Sequence, residues 1–189
     1  MPLNIPNLLT WLRILLIPLF MAILYLPGEW LSEQTANVIA MAIFIAAALT
    51  DWLDGYLARK LNQQSAFGAF LDPVADKLMV AAALIVLVEF DRMNAVVAFI
   101  IVGREITISA LREWMAKVGE SRSVAVSFVG KLKTVAQMTA IPFLLYYNPL
   151  GPIDCRVVGT WLIWLAAILT LWSMIYYLRI ALPRAKLDS

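Results

Sequence analysis

Six stretches of this chain, roughly 5–27, 36–54, 73–90, 94–115, 132–147 and 157–182, are apolar almost without a break. A helix needs about 20 apolar residues to cross the hydrocarbon of a bilayer, and a water-soluble domain has no use for six such runs in 189 residues. Composition agrees, with 62% of residues hydrophobic and 15% charged, against roughly 45–50% and 25% in soluble domains. Continuous apolarity argues for helices, because a barrel strand alternates and an open sheet edge leaves backbone groups unsatisfied in lipid. The first run contains Pro6, Arg13 and Pro18 and lacks a small-residue cleavage site, so it reads as a span and not as a cleaved leader. The expected fold is an all-α integral membrane protein of six transmembrane helices, a single domain over 1–189.

The connections sort by charge. Gly28 to Thr35 carries Glu29 and Glu33, the turn at Asp91 and Arg92 is neutral, and Asn148 to Arg156 holds Asp154 and Arg156. The alternate connections hold Arg59 and Lys60, then Lys117, Arg122, Lys131 and Lys133, and the tail carries Arg179, Arg184 and Lys186. Basic loops stay on the cytoplasmic side, which places both termini and the 59–71 and 116–131 loops in the cytoplasm. An even number of spans, which puts both termini on one side, agrees with this. The formal net charge of +2 gives no reason to expect a nucleic-acid partner.

The chain has no His and one Cys, Cys155, in an outward loop. Imidazole acid–base chemistry, a Ser-His-Asp triad, an intrachain disulfide and thiolate zinc sites are therefore excluded, and any proton transfer or metal binding falls to carboxylates. The densest group of acids lies at the junction of the second and third runs, where Asp51, Asp54, Asp72 and Asp76 occur within 26 residues of apolar sequence. On a helix Asp51, Asp54 and Ala58 fall within about 60° of one another, and Asp72 and Asp76, at i and i+4, share a face of the next. Pro73 suits the first turn of that third helix. Four unpaired anions brought together near the membrane boundary repel one another and lose hydration. Hard divalent cations relieve both costs, so all-oxygen ligation points to Mg²⁺ or Mn²⁺, and four acids suit a two-metal centre that grips a phosphoryl group. Gly55, Ala58 and Gly68 lie on or beside the same face, where small side chains permit either close approach of a ligand or close helix packing. Surface ion pairs with Arg59, Lys60 and Lys77 are the plainer explanation of the acids, at odds with so apolar a setting.

The run Asp51-x-x-Asp54-Gly55-x-x-Ala58-Arg59, eight residues, then Gly68-x-x-x-Asp72-x-x-x-Asp76 resembles, at every position, the signature of the CDP-alcohol phosphatidyltransferases. The resemblance extends to the segments from Pro6 to Arg13, Ala69 to Lys77, Arg104 to Trp114 and Gly130 to Gln137. It implies a six-helix membrane fold, usually dimeric, in the bacterial cytoplasmic membrane, and a reaction in which an alcohol displaces CMP from CDP-diacylglycerol. The wider resemblance implies sn-glycerol 3-phosphate as that alcohol. It also implies that Asp51, Asp54, Asp72 and Asp76 hold the metals, that Asp76 accepts the proton, and that Gly55, Arg59 and Ser65 meet the CDP-diacylglycerol headgroup. Spacing alone does not decide which Asp is the base.

A phosphorylated acceptor needs cations of its own. Arg104 and Arg112 lie in the fourth run, and Lys131 and Lys133 open the fifth. Arg112, Lys131 and Lys133 are expected on the acceptor phosphate, with Arg104 held by Glu105 or sharing that role. The lysines also fit a plainer part as anchors to anionic lipid. Asn7, Thr10 and Arg13 form a helical i, i+3, i+6 stripe that would close the nucleotide pocket, or would serve as a helix cap and a snorkelling cation. Inositol phosphate would suit the same basic cluster. From a different class, a small cation transporter also places acids in helices, although these acids gather at one interface.

Overall fold

The computed structural model describes residues 5–60, 66–117 and 128–185. Among them are six helices, α1 (Ile5–Leu24), α2 (Glu33–Lys60), α3 (Ala66–Glu89), α4 (Ala95–Lys117), α5 (Phe128–Tyr146) and α6 (Cys155–Ala185). A two-residue antiparallel hairpin, β1 (Pro149–Leu150) and β2 (Ile153–Asp154), joins α5 to α6, turning at Gly151 with φ +60°. α2 and α3 exceed their apolar runs by the most. α2 continues to Lys60 and α3 begins at Ala66, so Pro73 lies inside α3 and not in its first turn as the sequence suggested. Apolarity marks the part of a helix that meets lipid, whereas backbone hydrogen bonding carries on past it. At 1.5 Å per residue the 28-residue α2 is about 42 Å long, more than the ~30 Å hydrocarbon layer.

α1, α2 and α6 are long and apolar enough to cross a membrane by length and composition, over Asn7–Leu24, Glu33–Asp51 and Cys155–Arg179. In α3, α4 and α5 the apolar sequence is interrupted by the charges described below. Large apolar side chains nevertheless face outward on these helices too, among them Ile85, Phe99 at 77% exposure and Val135. Such a surface is expected against lipid and is an aggregation liability in water. Several hydroxyl groups inside the helices turn back onto their own backbone, Thr107 to the Gly103 carbonyl, Thr134 to Gly130, Thr139 to Val135 and Ser173 to Thr170. That satisfies each donor without water.

The core lies where α2, α3, α4 and α5 meet around Phe44, Leu84, Ile101, Ile141 and Leu144, and small residues such as Ala40, Ala47 and Ala83 let the helices close on one another. α5 packs most extensively on α6, and α1 on α2. At Gly159 the approach of α5 and α6 is so tight that an added Cβ would lie 2.8 Å from Leu144 Cγ.

One end of the bundle is built for termination. Ser32, Asn94 and Asp154 cap α2, α4 and α6, their side-chain oxygens accepting the N–H groups of Thr35, Val96 and Arg156. α3 ends with Asp91 in the left-handed region, φ 55°, and the Arg92 N–H returns to the Leu87 carbonyl. This turn sends Arg92 under the bundle, where it donates to the Leu145 carbonyl at 2.9 Å, meets Glu33 and lies 4.6 Å from the Tyr147 ring centroid. Burial lowers the pKa of its guanidinium, and the Glu33 carboxylate draws it back up. Cys155, expected in an outward loop, is the buried first residue of α6.

Candidate active site

At the opposite end, α1, α3 and α5 begin and α2, α4 and α6 finish, so the alternation of the chain brings five of the charged segments together. From α1, the stripe of Asn7, Thr10 and Arg13 is buried, Arg13 to 1% exposure. The Arg13 guanidinium reaches α2 with both terminal nitrogens, Nη1 at 2.8 Å from Asp51 Oδ1 and Nη2 at 2.5 Å from Asp54 Oδ2. Thr10 donates its hydroxyl to Asp72 on α3. These contacts set aside the snorkelling reading of Arg13. The acids expected to converge do share one end of the bundle, but protein groups hold three of them: a cation for Asp51 and Asp54, a hydroxyl for Asp72.

Asp76 lies one turn further along α3 and faces two spaces. One is a narrow gap lined also by Arg13, Ala47 and Met138; the other is a cavity of about 280 Å³ between α3, α4 and α5. The polar lining of the cavity is Asp76, Lys77, Glu105, Thr134 and Gln137, and the remainder is apolar, including Val80, Ile101 and Met138. Asp76 is within electrostatic reach of Asp51, Arg13, Glu105 and Lys77, so it links the acids on Arg13 with the groups around the cavity.

The basic residues divide unequally. Lys133 and Arg104 are buried, and both donate to Oε1 of Glu105, Arg104 at 3.0 Å. Arg104 also reaches Ser173 on α6 and lies 6.0 Å from the Tyr177 ring centroid. Lys77 donates to Ser109 at 2.5 Å, and Ser109 donates in turn to the Glu105 carbonyl. Arg112 and Lys131 are exposed, with Arg112 within electrostatic reach of Lys133. Among the remaining sequence-derived candidates, Gly68 is buried in α3, while Gly55, Ala58 and Arg59 fall within α2 with their side-chain surroundings outside the described residues, as is the whole of Ser65.

The sequence did not reveal Arg13 as the partner of the acids or Lys133 as the partner of Glu105. The stripe of Asn7, Thr10 and Arg13 contained the first of these, since three polar residues on one face of an apolar helix need polar neighbours.

Among the described residues, no three acids form a metal cage in this structure. The donor set nonetheless fits a hard divalent cation: the donors are all carboxylate oxygens on two packed helices, and Asp51, Asp72 and Asp76 are partly exposed.

The apolar helical bundle, with acids and buried cations clustered at one end, describes a membrane protein that carries a charged site. Residues 3–172 match the sequence model of the CDP-alcohol phosphatidyltransferase family, and the chain belongs to that family, whose members generally depend on a divalent cation. Its similar relatives include CDP-diacylglycerol–glycerol-3-phosphate 3-phosphatidyltransferases. That of Haemophilus influenzae is 51% identical over 184 residues, 96% of this chain and 95% of the relative. That of Salmonella paratyphi A is 49% identical over 183 residues, 96% of each chain, and the Shigella flexneri serotype 5b protein is equally similar. Membership sets aside the transporter alternative.

Proposed function

We propose that this protein transfers the phosphatidyl group of CDP-diacylglycerol to sn-glycerol 3-phosphate, releasing CMP and phosphatidylglycerophosphate. The observation that carries this reading is identity of about half, over nearly the full length of both chains, to relatives named for that reaction. In this reading Asp51, Asp54, Asp72 and Asp76 hold two ions, Mg²⁺ or Mn²⁺, which when bound supply positive charge to the diphosphate and the departing CMP. Arg13 shares Asp51 and Asp54 with those ions. Asn7, Thr10, Gly55, Ala58, Arg59, Ser65 and Gly68 surround the CDP-diacylglycerol headgroup. Arg104, Arg112, Lys131 and Lys133 draw the acceptor phosphate toward the cavity.

Asp76 receives the acceptor hydroxyl proton as the new oxygen–phosphorus bond forms and the bond to CMP breaks. Its position supports that role, because it borders the cavity on one side and the Arg13 cluster on the other, and a base must lie within reach of the proton it takes. The positive-inside rule supports a cytoplasmic site in a bacterial inner membrane, with both termini on the same side. Outward apolar residues on α3, α4 and α5 as well as on α1, α2 and α6 support six crossings, and we take the assembly to be the homodimer usual in the family.

The test is CMP release from CDP-diacylglycerol in detergent with Mg²⁺, with glycerol 3-phosphate, inositol phosphate, serine or no acceptor. Release that depends on glycerol 3-phosphate, and that is lost in a folded Asp76→Asn variant, is expected. Preference for another alcohol would overturn the assigned acceptor, and full rates in Asp76→Asn the assigned base.

A further inference from the structure

Glu105 stands between the cavity and the two cations behind it. Glu105 lines the cavity and its side chain is 29% exposed, whereas the side chains of Lys133 and Arg104 are 5% and 6% exposed and do not line the cavity. Both cations bond to one oxygen of that carboxylate. Arg112 and Lys77 add positive charge nearby, and Asp76 is the other acid on the cavity. Two buried cations side by side require an anion, and Glu105 supplies it.

An anion arriving in the cavity meets this arrangement with the same sign of charge as Glu105. It reaches Lys133 and Arg104 only when the Glu105 carboxylate leaves them, since two anions on one pair of cations repel each other at close range. We infer that Glu105 is an internal counter-anion that competes with the acceptor's phosphate for Lys133 and Arg104, so that the pocket opens to a dianionic group and stays closed to uncharged alcohols. This rests on the reading above that the acceptor carries a phosphate. The apparent affinity for the acceptor is then reduced by the fraction of time that Glu105 is away from the cations. A phosphate dianion overcomes that closure with two charges against one; a neutral hydroxyl has nothing to offer in exchange.

The experiment compares full-length wild type, Glu105→Gln and Glu105→Asp in detergent micelles with CDP-diacylglycerol and Mg²⁺. It measures the KM for glycerol 3-phosphate, the inhibition constant of inorganic phosphate against it, and the rise in thermal midpoint that inorganic phosphate produces. Removing the competitor in Glu105→Gln lowers the KM and the phosphate inhibition constant together, by about tenfold if the closed form holds nine-tenths of the population, without raising kcat. The phosphate-induced rise in midpoint is larger in Glu105→Gln than in wild type. A higher acceptor KM, or an unchanged phosphate constant, overturns the proposal, because it shows that Glu105 aims the cations and does not compete for them. Should Glu105→Gln fail to fold, Glu105→Asp, which keeps the charge but draws it back by one methylene, gives the same sign at smaller amplitude, and a KM above wild type overturns the proposal there as well. If wild type releases no CMP with glycerol 3-phosphate, the assigned reaction fails on its own; the phosphate-induced shift in midpoint still decides the part played by Glu105.

Discussion

Arg13 is a cation buried to 1% exposure, holding one half-exposed acid and another that is itself 2% exposed. A buried ion pair is costly to assemble and more costly to break from one side, because the charge left behind has lost both water and partner. Arg13→Ala is therefore expected to lower stability by about 3–5 kcal/mol, seen as a fall in the thermal midpoint in detergent. The same change frees the two carboxylates for other cations, so added Mg²⁺ should raise the midpoint of the variant more than that of wild type. Equal Mg²⁺ shifts in the two proteins would show that Arg13 and the metal do not share these acids. The aspartates were readable from their spacing alone, since four acids in apolar sequence have few other uses. Their partner was not, because Arg13 is separated from Asp51 and Asp54 by 38 and 41 positions, and helical periodicity tells which face a residue occupies but not which helix that face meets. Lys133 was hidden in the same way: its charge suggested an anion, and only the side-chain contact from α5 to α4 identified Glu105 as the one it holds.

Between helices, the decisive feature is how closely backbones approach in a medium where apolar burial gives little drive for association. α5 and α6 approach closely at Gly159, where an added Cβ would meet Leu144 Cγ at 2.8 Å, Leu144 Cδ2 at 2.9 Å and Phe143 Cβ at 3.2 Å. Leu144 is fully buried in the core and has nowhere to withdraw. Gly159→Ala should then force the helices apart at a cost of about 1–3 kcal/mol, despite the better helix propensity of alanine, and Gly159→Val should cost more. Thermal unfolding of the two variants checks this, and a stabilised Gly159→Ala would mean that α6 tilts to make room. Because α5 carries Lys133, Thr134 and Gln137 into the cavity region, the same displacement should raise the acceptor KM. The positions of all six helices were legible as apolar runs. Their ends were less so: α3 starts seven residues before Pro73, since a proline interrupts one backbone hydrogen bond without ending a helix whose remaining turns are held by packing.

Across the whole molecule, charge is divided between two ends with different tasks. One end holds the acids, the cavity and the buried lysine; the other holds three capped helix starts and the Arg92 cluster. Asp76 and Arg92 are separated by nearly the whole of α3 beyond the site, about 20 Å along its axis. Arg92 ties the end of α3 to the end of α5 through the Leu145 carbonyl and to the start of α2 through Glu33, closing the bundle where the core is narrowest in charge. Arg92→Gln removes a charge-assisted bond to a buried carbonyl and the stacking on Tyr147, together about 2–4 kcal/mol. The Glu33 bond adds little to this, since that carboxylate is 82% exposed. The expected result is a lower thermal midpoint with KM for both substrates unchanged in the folded fraction, because nothing in the Arg92 cluster touches the cavity or the acids. A raised acceptor KM in Arg92→Gln would show that the two ends move as one body, with strain at the clamp carried down α3 and α5 to Asp76 and Lys133; an unchanged KM with reduced stability would establish that the bundle can loosen at one end while the other keeps its shape.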